Sequence, residues 1–229
     1  MTIATSQFKP QVLEYIDEAY ARCGIEARTG YQLKVAIRSL NFLFSDWANR
    51  GLNRWTIKSE TQTLSEGNAA YNLTDVDNID VLSMVIRTDD TDTSKQSDTT
   101  MTRVSRSEFL NIPNKLQKGK PNLFYIDRGT NQLVLNIWPT PDGATTYTLI
   151  FDMLHSVGEI DHTNENPDIP FRFMQCLASG LAYQLAIKFA PDRVVLLKQE
   201  YEEDFRRAYE EDRDRSPLKL VPNGAYLRV

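Results

Sequence analysis

The sequence predicts an α+β fold: a helical bundle interrupted by an inserted antiparallel β domain and followed by an extended C-terminal tail. Three observations carry this. Apolar residues recur every three or four positions near both ends of the chain, and a two-residue period with turn signals replaces that pattern across the middle. The last twelve residues are apolar but broken by Pro222 and Gly224, so they read as neither helix nor solvated terminus. The bundle is assigned to residues 1–54 and 168–216, the β region to 55–167 and the tail to 217–229. With 229 residues, 41% of them hydrophobic and 25% charged, the chain has globular make-up and enough length to bury a core without staples.

In residues 10–22, Val12, Leu13, Ile16, Ala19 and Tyr20 keep helical spacing, Pro10 suits a first turn and Gly24 a stop. Thr29 to Gln32 has the form of a capping box. Leu33, Ile37, Leu40, Phe44 and Trp47 then make a stripe that Gly51 ends, with Arg38, Asp46 and Asn49 on the other face. From Trp55 the period is two: residues 55 and 57 share one face, and Lys58, Glu60 and Gln62 the other, in a Thr-rich strand reaching residue 63. Residues 65–68 read as a turn and 79–87 as a strand. Residues 88–100, rich in Thr, Asp and Ser, read as an exposed or mobile loop.

Two β runs, 123–127 and 133–138, flank a hairpin signal at 128–131, and residues 139–143 lead into a third run at 147–154. A simple antiparallel meander is the economical topology. After Pro167 to Pro170 the helical period returns, with Phe171, Met174, Leu177, Ala178, Leu181, Leu185 and Phe189 in one stripe. Gly180, Ala182 and Ala186 thin its flanks for close packing. Ala190-Pro-Asp192 breaks the chain, and Asp192 is placed to cap a last helix on which Val194, Leu197, Tyr201, Phe205 and Tyr209 recur, until Pro217. The other face of that helix carries Glu200, Glu202, Glu203, Asp204, Arg206, Arg207, Glu210, Glu211 and Arg213, a charge-alternating surface for solvent or a partner.

The charge balance, 26 basic against 31 acidic residues, lacks the footprint of a duplex-binding domain. Cys23 and Cys176 are too few for a disulfide framework and are expected reduced. The first residues carry no basic-then-apolar leader, so synthesis in the cytosol is expected. The apolar window 171–190 contains Arg172, Gln175, Gln184 and Lys188, which makes it a buried helix and not a span, and no membrane partner is expected.

No Gly-rich phosphate loop, nucleophile elbow, His-Glu-x-x-His or Cys-x-x-Cys motif occurs, and there are only two histidines. Asp152, His155, Asp161, His162 and Glu165 read as polar loop and strand-end residues and not as metal ligands, and the pair Glu203 and Asp204 as a solvated helix face. Trp47, Trp55 and Trp138 with Tyr31 and Phe42 read as aromatics of apolar stripes, more in the manner of core than of base stacking, with Trp47 taken as core, and Lys115, Lys118 and Lys120 read as a solubilising loop. No catalytic residue, cofactor or metal is assigned.

Leu40-Asn-Phe-Leu-Phe-Ser-Asp-Trp-Ala-Asn-Arg-Gly-Leu52, ending in Trp-x-x-x-Gly-Leu, resembles the second helix of the head-to-tail adaptor proteins (tail accessory factors) of short-tailed bacteriophages. Leu181-Ala-Tyr-Gln-Leu-Ala-Ile-Lys-Phe-Ala-Pro-Asp192 is similar to the family's helix–turn–helix with its Ala-Pro-Asp turn. The likeness covers the helical framework, about half the chain. It implies a structural virion protein at the portal vertex: a homo-oligomeric ring, usually twelvefold, that docks on the portal, extends the DNA channel without binding DNA specifically, and offers a platform to tail nozzle or hub proteins.

On that reading Leu218, Leu220, Val221, Tyr226, Leu227 and Val229 form the portal-docking tail. Arg38, Asp46, Glu203, Arg206 and Arg207 lie at the contacts between subunits. The long insert departs from the shortest adaptors, so tail-side contacts do not carry over. Two other classes fit the same sequence: a tail-associated carbohydrate hydrolase using acids such as Asp152 or Glu165, and a cytosolic protein-binding module forming a small closed oligomer.

Overall fold

The computed structural model describes residues 8–26, 30–50, 54–73, 78–89, 92–129 and 132–213, and the fold is α+β. Helix α1 (Val12–Cys23) starts at a capping box in which the Glu14 carboxylate accepts from the Gln11 backbone N–H at 2.8 Å. It stops at Gly24, whose φ of 74° lets its N–H turn back to the carbonyls of Tyr20 and Ala21. Helix α2 (Gly30–Arg50) buries Val35, Ala36, Ser39, Leu40, Leu43, Phe44 and Trp47. The predicted cap Thr29 and stop Gly51 lie outside the described residues.

Helix α4 (Phe171–Phe189) is the axis of the helical core. Its periodicity is as expected, but Phe171 is 80% exposed and Phe173 takes the buried place, since the stripe begins two residues later. Leu43 of α2 and Tyr201 of α5 (Val194–Glu211) close on Gly180, where an added Cβ would lie 2.9 Å from each. The small residue is what lets three helices converge there. Asp192 does not cap α5: it sits in a 3-10 turn (Pro191–Arg193), and the N-cap position belongs to Arg193, which makes no side-chain cap bond. Helix α5 ends at Glu211, short of the expected residue 216, and Pro217 is outside the described residues.

The strands are β1 (Ile57–Thr63), β2 (Ala70–Leu73), β3 (Asn78–Thr88), β4 (Ser97–Thr100), β5 (Thr102–Arg103), β6 (Leu123–Arg128), β7 (Leu133–Trp138) and β8 (Tyr147–His155). They form two four-stranded sheets, ordered β1-β8-β3-β4 and β2-β7-β6-β5, with β5 parallel to β6. This corrects the meander, because the chain alternates between sheets and β8 returns to separate β1 from β3. Met84, Ile86, Leu149, Phe151 and Met153 of the first sheet share one buried cluster with Tyr71, Phe124, Ile126, Leu135 and Ile137 of the second. The helices and Trp55 make a separate cluster.

Trp55 lies in a 3-10 turn (Arg54–Thr56), not in β1, and its ring packs 5.9 Å from Phe173. Within β1, Lys58, Glu60 and Gln62 pair with Met153, Phe151 and Leu149, so the polar side follows the inward register, which an edge strand tolerates because its rim stays wet. The expected loop at 88–100 also needs correcting: residues 97–100 form β4, exposed throughout, paired with β3 and tied by Arg87 to Asp98 at 2.8 Å. Helix α3 (Arg106–Leu110) lies between β5 and β6 and opens on a Ser105–Glu108 capping box.

Candidate functional site

The junction of α2 with α5 is a dense polar and aromatic network. Trp47 is fully buried, and its indole N–H donates to the Tyr201 hydroxyl at 3.0 Å. That hydroxyl reaches Asp46 Oδ2 at 3.4 Å. Arg50 donates to Asp46 at 2.7 Å and, through both terminal nitrogens, to the Glu202 carboxylate at 2.8 and 2.9 Å. Its guanidinium stands 5.0 Å from the ring centroids of Tyr201 and Phe205. The paired carboxylate pushes the Arg50 pKa further up, and the guanidinium in turn holds Glu202 below the usual carboxylate range. Burial raises the Tyr201 phenol, so the hydroxyl remains a neutral donor.

Asp46 is therefore engaged within its own chain. Arg207, although exposed, also bonds the buried Asp204 of the same helix at 2.6 Å. Asp204 itself does not belong to the solvated face, where the sequence pattern assigned it: it is 5% exposed and turned into the helical core. Glu203 and Arg206 face solvent on α5, and Arg38 faces solvent on α2, at a different place from the Arg50 network. Leu218, Leu220, Val221, Tyr226, Leu227 and Val229 lie outside the described residues.

Tyr31 and Phe42, read as core, are 74% and 62% exposed. Both are off the stripe made by Leu40, Phe44 and Trp47, and that offset was the signal available in the sequence. Beside them Lys188 of α4 donates to Ser39 Oγ at 2.6 Å. Burial and the neighbouring Arg38 hold its ammonium below the ordinary lysine value. On another side of α4, a groove of about 290 Å³ runs between α1 and α4, with Tyr15, Met174 and Ala178 below and Glu14 and Glu18 along its rim.

Asp152 and His155 point to opposite faces of β8, apart from Asp161, His162 and Glu165, which share one loop. The Asp152 carboxylate accepts from Ser59 and Ser83, both at 2.7 Å, and those hydroxyls keep its pKa low. His155, three positions along β8 and on the opposite face, has Nε2 at 3.2 Å from Glu60 Oε1 without hydrogen-bond alignment. Glu165 accepts from the Asp161 backbone N–H at 3.3 Å. Among the described residues no three His, Cys, Asp or Glu side chains are grouped to hold a metal ion, and no helix is long and apolar enough to cross a membrane. The arrangement offers packing surfaces with opposite charge on different sides of one helical axis.

Residues 6–222 match the model of a family described as SU10 adaptor protein. No curated protein matches the chain.

Proposed function

The chain belongs to the SU10 adaptor protein family, a family of phage head–tail adaptors, and from that premise we propose that it is a structural virion component whose copies form a ring on the portal vertex. The ring, twelvefold in this reading, extends the DNA channel and carries tail nozzle or hub proteins. The observation that carries the reading is the family match across residues 6–222, which spans both helical segments and the strand region between them.

In this reading α1, α2, α4 and α5 are the ring-forming frame and residues 55–167 an insert. Arg38, Glu203 and Arg206 are exposed and available to a neighbour. Asp46 and Arg207 contribute by shaping the α2–α5 junction that presents them. Residues 217–229, with Leu218, Leu220, Val221, Tyr226, Leu227 and Val229, dock on the portal. DNA passes without specific binding, in keeping with the net charge of −5.

The test is the mass of the purified chain by light scattering, alone and mixed with the portal ring encoded beside it. A complex holding about as many copies as the portal has subunits supports the reading, and no association under packaging-like salt overturns it. Removing residues 217–229 is expected to abolish portal association while the melting of the helices is unchanged.

A further inference from the structure

Two surfaces that no other described residue covers flank α4, and they are opposite in charge. The outer face of α2 carries Tyr31, Lys34, Arg38 and Phe42, and the helix has no carboxylate before Asp46. Lys188 adjoins it. Among the described residues none of these three cations has a carboxylate partner, and burial, with Arg38 nearby, makes the charged form of Lys188 costlier. The exposed Tyr31, Phe42 and Arg38 are residue types enriched in interfaces, and Lys34 and Lys188 suit the charged rim of one.

The second surface is the groove between α1 and α4. Tyr15, Met174 and Ala178 give it an apolar floor, Phe8 stands 69% exposed at its lining, and Glu14 and Glu18 give it an acidic rim. Arg22, the one cation on α1, also lines the groove and is shared between Glu18 at 2.8 Å and Glu200 of α5 at 3.0 Å, while among the described residues Glu14 accepts only from the Gln11 backbone N–H, so the rim remains net acidic. The groove's volume of about 290 Å³ accommodates an aromatic ring. The two surfaces occupy different sides of α4, since α2 meets it at Phe173, Gly180 and Lys188 while the groove lies along Met174 and Ala178. Two different complementary patches on one chain are what a head-to-tail contact needs to propagate and close.

We infer that the occupant of the acidic α1–α4 groove is a second copy of this chain, which inserts Phe42 and sets Lys34, Arg38 and Lys188 against Glu14 and Glu18. This rests on the ring reading and names the surfaces that meet in it. The contact is heterologous, so each copy gives its α2 face to one neighbour and its α1–α4 groove to the other.

The test uses two charge-reversed full-length chains, Lys34→Glu/Arg38→Glu and Glu18→Lys, each mixed with the portal and measured by light scattering, with thermal melting as the fold control. Each variant alone should associate at least about tenfold more weakly than the wild type. An equimolar mixture should recover assembly, because the reversed α2 face of one matches the reversed groove of the other and their native faces still match. Phe42→Ala, a change at an exposed position that spares the fold, should weaken assembly without altering melting.

Variants that each assemble like the wild type overturn the pairing, and so does a mixture that stays apart while both chains melt normally. In both cases wild-type assembly leaves the ring itself standing. A wild-type chain that remains monomeric beside the portal overturns the ring reading and the pairing together.

Discussion

Gly180→Ala tests whether the convergence of α2 and α5 on α4 is as tight as the structure makes it. In an open helix the change stabilises by about 1 kcal/mol, because alanine restricts the unfolded backbone. Here the added methyl carbon would lie 2.9 Å from Leu43 Cδ2 and from Tyr201 Cε2, and 3.1 Å from Leu43 Cδ1. Neither neighbour yields cheaply: both are buried, and the Tyr201 hydroxyl is fixed by Trp47. Overpacking of this kind costs about 1–3 kcal/mol, so the net effect is a destabilisation of about 0–2 kcal/mol. For a chain of this size that lowers Tm by up to about 8 °C.

The assay is thermal melting followed by far-ultraviolet circular dichroism, run as a double-mutant cycle with Leu43→Ala. The leucine truncation alone costs about 2–5 kcal/mol. In the double variant the new methyl fills part of the vacated space, and the two changes should offset one another by about 0.5–2 kcal/mol. A Gly180→Ala chain that gains the full propensity increment, with no coupling to Leu43, would show slack at the crossing and refute the reasoning.

Three further outcomes are expected. Asp80→Asn should destabilise the sheets by about 1.5–3 kcal/mol in a denaturant titration, because the largely buried carboxylate receives Arg103 from β5 and Arg128 from β6 while sitting on β3 of the other sheet. Asp152→Asn should flatten the acid limb of a Tm-against-pH curve: its folded pKa is depressed by Ser83 and Ser59, so its stabilising contribution is present above the ordinary carboxylate pKa of about 3.9 and lost as pH falls through the folded value. Lys188→Met should leave the isolated chain as stable or more so near neutral pH. A lysine with a depressed folded pKa destabilises while protonated, and that cost fades as pH rises through the folded value; melting of both chains from neutral to alkaline pH checks the convergence.

The helices were legible because each buries one stripe against a single axis, so a local period reports a global contact. α1 shows this plainly, with box, stripe and Gly24 all local to it. What sequence left hidden was set by distant partners. β4 has no apolar residue of its own and exists because β3 offers it an edge. The Glu60 side of β1 faces inward only because β8, with Phe151 opposite Glu60 far along the chain, fixes the register. Tyr31 and Phe42 were misread because an aromatic on a helix is assumed to face its own core, and only their departure from the buried stripe says otherwise. Asp204 was misread for the opposite reason: its charge looked solvated, yet the residue is buried, with Arg207 one turn on bonding Oδ1 and Oδ2 left without a hydrogen-bond partner among the described residues.

The way the strand region leaves and re-enters the helices bears on how an adaptor holds a platform. Its first and last strands, β1 and β8, are neighbours, with Ile57 opposite Leu154, so the frame meets them as a paired stem whatever lies beyond. Among the described residues the anchors around that stem come from α1, α2 and α4: the Val12 and Leu13 backbone N–H groups of α1 donate to the Glu165 and Thr163 carbonyls, both at 2.9 Å. Trp55 packs on Phe173, and Asn41 exchanges two hydrogen bonds with the Ile160 backbone at 3.0 and 3.1 Å. Asn41 is on α2, one residue from Phe42 and three from Arg38. One of the helices that hold the stem is thus the helix whose outer face is proposed to enter a neighbour's groove. In the ring proposed above, the same helices that meet a neighbour would therefore also orient the strand region.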